Sequence, residues 1–315
     1  MRRSPPALAV LPVLAFLAGA SPAVAEDRGA SVAFGPGTWV GADEPLGRRA
    51  RAVEPDDPPA IRARAVEGGV RVDGVLDEGV WREAVAATGF VQSEPLEGEP
   101  ATERSEVRVA YDRDHLYVAA RLLWTGPGAP VVNDLRRDFE PGDQDSFEVL
   151  LDTFHDRRNG YVFVVSAAGA RTEYQVSNEG YEVNINWDVP WRAESGRADG
   201  AWTVEIAIPF SAIRFDPARA STWGINFARR IRRKNEVDFW APVPRSQGLY
   251  KVSLAGDLEG LPTLEPGRDL RIIPYVVGST TREVGTVDFD ETGEIGGDLK
   301  YGITESLALD ITANP

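Results

Sequence analysis

From Ile61 onward the hydrophobic and polar positions alternate mostly with a period of two. In residues 105–111, Val107, Val109 and Tyr111 alternate with Glu106, Arg108 and Ala110. Asp112-Arg113-Asp114 supplies a turn, and residues 115–124 return with Leu116, Val118, Ala120 and Leu122 on one face. That pattern predicts a hairpin. Residues 146–152 form a nearly continuous apolar run of strand length, which predicts a central place in a sheet. Residues 156–160 read as a polar turn, and 161–166, 203–208 and 223–231 as further strands. Helical spacing is confined to Val80, Trp81, Ala84 and Val85, with one short turn at 210–215. Short strands separated by turn signals predict an antiparallel β-sandwich over residues 61–265.

The stretch 70–84 organises this pattern. Val70 and Val72 read as a half-buried strand, and Asp73-Gly74 as a tight turn, because Gly adopts positive φ without steric cost. Asp77 is expected to cap a short helix, and Glu78 to favour its positive end. Trp81 is expected to plug the end of the sandwich as a core residue.

The flanks differ. Residues 1–25 carry Arg2-Arg3, an apolar stretch from Ala7 to Ala18 and Ala23-Val24-Ala25, the layout of a secretory signal. Residues 26–60 are rich in Gly, Pro and charge without periodicity, and are expected to form a flexible acidic and Pro-rich leader. After Pro266, Leu270 to Val277 reads as a strand and the acidic, Gly-rich 288–297 as a loop. Leu299, Tyr301 and Ile303, then Leu307, Leu309 and Ile311, put an apolar stripe on one side of a second hairpin. One apolar and one polar face is the pattern of an outer-membrane β-barrel, so residues 266–315 are expected to begin such a barrel and the chain to continue beyond Pro315.

Composition narrows the chemistry. The net charge is −15, which argues against nucleic acid as a partner. There is no Cys and only two His, His115 and His155; disulfides, thiolate chemistry and multi-histidine zinc sites are excluded within this chain. An exported protein of the periplasm or outer membrane of a Gram-negative-type bacterium is the expected setting.

Three motifs in order carry a resemblance. Asp73-Gly74-Val75-Leu76-Asp77-Glu78, with Trp81 and Ala84, resembles the opening signature of family 9 carbohydrate-binding modules. Gln144-Asp145-Ser146-Phe147-Glu148 resembles that family's central strand. Gly200-Ala201-Trp202-Thr203-Val204-Glu205, with Ile208-Pro209, resembles its G-x-W-x-x-E-x-x-I-P strand. The whole sequence also resembles bacterial secreted proteins in which such a domain precedes an uncharacterised outer-membrane barrel. The resemblance implies a non-catalytic sugar-binding sandwich in the cell envelope, linked to polysaccharide breakdown or uptake, with a polysaccharide or oligosaccharide as partner, no certain cofactor, and structural calcium as a candidate. The family clamps sugar between two Trp; the first position falls here at Gly142, and the late loop 244–249 holds no Trp. Glu148 matches a family position that contacts sugar hydroxyls.

Sugar sites combine aromatic platforms with planar polar side chains. Glu148, Asp145, Trp187, Trp191 and Trp240 are the candidate ligand residues, with Trp124 behind them and Trp187-Asp188-Val189-Pro190-Trp191 foremost. Asp143, Asp145, Asp152 and Asp156 flank one strand and are candidate oxygen ligands for calcium, against the plainer reading of solvated charge. A glycoside hydrolase needs two carboxyls about 5–9.5 Å apart. Glu148 and Asp152 stand about 13 Å apart along a strand, leaving Glu173 or Glu205 as possible partners for Glu148. The basic run from Arg229 to Lys234 reads either as pairing with acidic neighbours or as docking onto an acidic glycan or a barrel mouth. A plug or docking domain that serves a barrel without binding sugar is the rival function.

Overall fold

The computed structural model describes residues 58–125, 128–198, 200–217, 221–262, 264, 270–282, 289–304 and 307–313. The expected signal segment and most of the expected leader lie outside these residues. In chain order the strands are β1 (Ala60–Arg62), β2 (Arg64–Ala65), β3 (Val91–Glu94), β4 (Ser105–Tyr111), β5 (His115–Leu123), β6 (Ser146–Asp152), β7 (Gly160–Ser166), β8 (Arg171–Ser177) and β9 (Glu182–Asn184). They continue as β10 (Arg192–Ala198), β11 (Ala201–Pro209), β12 (Thr222–Ile231), β13 (Glu236–Phe239), β14 (Gly256–Glu259), β15 (Leu270–Arg282), β16 (Phe289–Thr304) and β17 (Leu307–Ala313). One short helix, α1, spans Gly79–Glu83.

The chain divides into two units, 43–268 being one, with 269–315 in the other. The first is a β-sandwich. Its larger sheet has nine strands in the order β1-β14-β12-β6-β7-β8-β9, with β13 and β3 attached beside β12; the smaller has five, β10-β11-β5-β4-β2. The alternation read from the sequence sets the facing layers. Val107, Val109, Leu116, Val118, Ala120 and Leu122 meet Phe147, Val149, Leu151, Phe163, Ile225 and Phe227 in the main core. Trp202, Val204, Ile206 and Ile208 of β11 join them. The β4–β5 hairpin and the central place of β6 agree with the expectation.

The opening motif departs from expectation in detail. Val70 and Val72 pair with no strand, α1 begins at Gly79, and no side chain caps it; Asp77 is not the cap. Trp81 is buried, as expected, but not at the sandwich end. It packs on the outer face of the five-stranded sheet, against Ala110, Tyr117, Ala119 and Ala207, while Val85 is exposed. What fixes the segment is Glu205 of β11. Its carboxylate accepts the indole N–H of Trp81 at 2.9 Å and the backbone N–H groups of Asp73 and Gly74 at 3.0 and 2.9 Å. Thr203 Oγ1 donates to the Gly74 carbonyl at 2.6 Å. A Cβ on Gly74 would fall 2.7 Å from the backbone nitrogen of Gly196, so this approach requires Gly. Removing the Trp81 side chain would cost about 3–5 kcal/mol by analogy with other buried aromatics.

The basic run lies at the end of β12, and the structure favours pairing. Arg229 points inward, and its guanidinium donates to Glu103 (3.2 Å), the Leu123 carbonyl (2.6 Å), the Arg104 carbonyl and Ser105 Oγ. Arg233 and Lys234 pair with the same Glu103, and Arg230 turns to the opposite face of the sheet. Asp238 of β13, opposite Arg229 in register, is fully buried and neither oxygen receives a hydrogen bond. Burial, then the neighbouring charge of Glu236, pushes its pKa up to about 8.

In residues 269–315, β15, β16 and β17 form an antiparallel meander. The expected loop at 288–297 is instead mostly strand, because β15 continues to Arg282 and pairs with β16 from Phe289 onward. The Gly residues that suggested a loop lie within a paired strand. The expected turn at Thr304-Glu305-Ser306 falls largely outside the described residues. No helix among the described residues is long and apolar enough to cross a membrane.

Glu205→Gln turns an N–H toward the indole N–H of Trp81 and leaves a buried donor unmatched; urea unfolding should show a loss of about 1–3 kcal/mol. Burial raises the Glu205 carboxyl from its ordinary 4.5 to about 7. A raised carboxyl favours the protonated native state, so its contribution is full below the unfolded value and is lost as pH rises through about 7. The Gln variant should lack that part of the decline; an unchanged pH profile would refute the assignment. Asp238→Asn removes a second ionisation of the same sign. Unfolding at pH 6 and pH 9 should show the variant gaining on the parent at the higher pH, and a parent that is favoured more at pH 9 than at pH 6 would contradict it.

Candidate functional site

Side chains of β6 alternate between two environments. Phe147, Val149 and Leu151 enter the main core, while Ser146, Glu148, Leu150 and Asp152 face the other side of the nine-stranded sheet. On that outer face Leu150, Val162, Val164, Tyr174, Val176 and Ala228 are partly roofed by Phe139 and by Val243, Leu249, Val252 and Ala255 of the 243–255 segment. The register aligns Ala228, Glu148, Val164 and Thr172 in one row across β12, β6, β7 and β8.

Glu148 is 5% exposed yet makes only long contacts: Ser146 Oγ at 3.4 Å and Arg230 Nη2 at 3.6 Å. Both exceed the usual range for charge-assisted hydrogen bonds, so its acceptor capacity is largely unspent. Tyr174 and Tyr250 meet edge to face beside it, ring centroids 6.1 Å apart. Burial, with the Glu148 charge adding to it, pushes Tyr174 up to about 12 and raises Tyr250 as well. Both phenols therefore stay protonated. The Arg230 side chain is partly exposed, and its Nε has no hydrogen-bond partner. A carboxylate, a guanidinium and two phenols thus converge where the apolar roof ends. Together they offer acceptors, donors and ring surface, the combination that polyhydroxylated ligands need.

The other expected ligand residues lie elsewhere. Trp187 is half-buried on the core-facing side of β7, stacked on Tyr161 at 4.7 Å with its edge toward Phe163. Trp191 is 4% exposed, meeting Phe163 edge on at 5.1 Å beneath the Arg171 guanidinium. Trp240 is 7% exposed, packed on Phe227 and against Gly256. Trp191 and Trp240 are thus core residues and present no platform, because their faces are taken up by packing. Trp124 is partly buried with Arg197 over its ring. Asp145 accepts the backbone N–H groups of Val131 and Arg232, which commits it to holding loops. Glu148 stands apart from all of these.

The candidate calcium ligands do not converge. Asp152 accepts the backbone N–H groups of Asp156 and Arg157, and Asp156 those of Arg158 and Asn159, closing the β6–β7 turn. Asp143 is exposed at the opposite end of β6. Among the described residues no three His, Cys, Asp or Glu side chains gather as a metal site. The carboxyl partners considered for glycoside hydrolysis are also misplaced: Glu173 pairs with Arg137 on the core-facing side of β8, and Glu205 is sealed under the opening motif.

Sequence reasoning passed over Tyr174 and Tyr250. Tyr250 directly follows the late loop 244–249, and Tyr174 shares the outward parity of Thr172 and Val176. Those two positions are the signal that could have found them, once the outer face of β8 was known.

Solved structures to which the chain is similar include a family 9 carbohydrate-binding module from Caldicellulosiruptor kristjanssonii in complex with cellotriose. It is 17% identical, with 64% of this chain and 94% of that chain covered and a TM-score of 0.46. The module in complex with glucose is 18% identical, with 67% and 98% covered and a TM-score of 0.46. A candidate carbohydrate-binding protein from Bacteroides uniformis is 12% identical, with 65% and 100% covered and a TM-score of 0.51. No curated protein matches the chain. The model of the carbohydrate family 9 binding domain-like family matches residues 72–238, more than half of the sequence, and the chain belongs to that family.

Proposed function

We propose that the sandwich is a non-catalytic carbohydrate-binding domain and that its ligand site is the Glu148–Arg230–Tyr174–Tyr250 cluster. The observation that carries this reading is Glu148 itself: a nearly buried carboxylate with unspent acceptor capacity, at a position where the family resemblance expects a hydroxyl contact. Leaving such a group unmatched is costly, and sugar hydroxyls would complete it. Arg230 supplies further donors, and the two phenols supply ring edges and hydroxyls. A binding role is favoured over hydrolysis because neither carboxyl considered as a partner for Glu148 shares its face.

Calorimetric titration with glucose, xylose, mannose and their trisaccharides tests this. At least one sugar should bind, and Glu148→Gln and Tyr250→Ala should each weaken it roughly tenfold or more, the scale of a lost charged hydrogen bond or aromatic contact. Unfolding curves of both variants serve as the folding control. Affinity that is indifferent to Glu148→Gln would refute the site.

A second reading concerns residues 269–315, which we propose to be a lipid-facing sheet of an envelope protein. Pairing register places Ile272, Val276, Ile295, Leu299, Leu309 and Ile311 on one face of the meander, with Asp298 and Asp310 on the other. Ile272 is 66% exposed, Val276 and Ile295 are 75% exposed, and Ile311 nearly half. At 13 and 16 residues, β15 and β16 exceed the roughly 9–11 that a spanning strand needs. The full chain should float with phosphatidylethanolamine–phosphatidylglycerol vesicles, and an Ile272→Asp/Val276→Asp variant should remain in the dense fraction. Equal flotation of both proteins, or of neither, would remove this reading.

A further inference from the structure

The residue most at odds with its surroundings is Tyr181, 86% exposed yet held by a stiffly built loop. Asn178, Glu179 and Gly180 adopt φ of 50°, 61° and 88° in succession; two non-glycine residues in the left-handed region are strained and persist only where the surroundings enforce them. Here they do. The backbone N–H of Glu179 donates to the Arg158 carbonyl at 2.8 Å, and that of Tyr181 to the Asn178 carbonyl at 3.3 Å. Arg158 donates to Asn178 Oδ1 at 3.0 Å. The Glu179 carboxylate pairs with Lys251 and accepts from Ser253 Oγ at 2.9 Å. Lys251 and Ser253 follow Tyr250 closely in sequence, so the loop is clamped to the segment that carries Tyr250 beside the Glu148 cluster. Gly180 lies directly on Tyr250: a Cβ there would come 2.9 Å from Tyr250 Cβ and 3.1 Å from its carbonyl oxygen.

Consecutive Cα atoms are about 3.8 Å apart, so Tyr181 stands one residue beyond the contact with Tyr250. A flexible exposed Tyr would lose entropy on meeting a ligand; this one has its backbone fixed beforehand. We infer that Tyr181 is the aromatic platform of a second subsite, so that the ligand is an oligosaccharide running from Glu148 past Tyr250 to stack its next ring on Tyr181. This rests on the Glu148 site being the sugar site, and it adds that ligand length is read by a residue outside that cluster.

The test compares the parent protein, Tyr181→Ala and Tyr181→Trp by calorimetry with glucose, xylose and mannose and with cellotriose, xylotriose and mannotriose. The trisaccharide that binds should do so more tightly than its monosaccharide. Tyr181→Ala should weaken the trisaccharide roughly tenfold, the scale of one aromatic contact, and leave the monosaccharide unchanged. Tyr181→Trp should restore trisaccharide affinity, which a lost phenolic hydrogen bond would not allow. Trisaccharide affinity within about twofold of the parent in Tyr181→Ala, or an equal fall for mono- and trisaccharide, overturns the second subsite while the Glu148 site stands. Parent protein that binds none of the six sugars, or binding unaffected by Glu148→Gln, overturns the Glu148 site and this subsite with it.

Discussion

Glu205 is the constraint on which the sandwich depends. The five-stranded sheet has two apolar faces, and only one meets the larger sheet. The other, built by Ala110, Tyr117, Ala119 and Ala207, needs a cover. The segment around Trp81 provides it, but an irregular segment brings backbone N–H groups that must be matched once buried. One carboxylate receives the donors of Asp73, Gly74 and Trp81 together. The first and third motifs of the family signature, over 120 residues apart in sequence, are therefore two halves of a single interaction. The Gly in the first half is required by its approach to Gly196. The same burial that gives this pin its strength raises the carboxyl's pKa, which ties the integrity of the fold to pH.

β12 shows how one strand serves both the interior and the candidate site. Period-two alternation sends Arg229 between the sheets, where it holds Glu103 and two backbone carbonyls, and sends Arg230 outward to Glu148. Arg229 cannot be lost without leaving Glu103 short of a buried partner, and buried charges stranded in this way are among the most destabilising defects. Arg230 is under no such obligation. Its contact to Glu148 is long and its side chain is partly exposed, so a ligand could displace or share it at little cost to the fold.

The fold was legible wherever a strand has apolar neighbours on at least one side. β4, β5, β6, β7 and β12 fall within a residue or so of where the alternation put them. β8 and β10 were passed over because polar residues interrupt them: Arg171, Glu173 and Gln175 take one whole face of β8, and Arg192, Glu194 and Arg197 lie on both faces of β10, an edge strand. β16 read as a loop because its glycines are loop formers in isolation, and only the length of β15 supplies the partner that makes it a strand. The site was less legible. Glu148 came from the family resemblance, not from periodicity. The Trp residues were misleading because exposure cannot be read from residue type: large aromatics are mostly core, and Trp191 and Trp240 follow that rule.

A scaffold with its structural pins in one set of residues and its ligand contacts in another can change the second set freely. Here the pins are Glu205, Trp81, Gly74, Arg229 and Glu103, none of which faces the outer surface of β6. That surface keeps a carboxylate at Glu148, while Gly142 and the late loop 244–249 hold no Trp, as the sequence already showed. Tyr174 and Tyr250 occupy the neighbourhood instead, and they meet each other edge to face; they do not stand apart as two jaws. A pair in mutual contact cannot sandwich a sugar ring between its members, so under the proposed function recognition at this surface would proceed from one side of the ring, with the carboxylate and guanidinium taking the hydroxyls along its edge. One-sided recognition gains less per ring than a clamp does. On that proposal affinity would be gathered over more than one ring, and the exposed aromatic next to the Tyr250 contact is Tyr181.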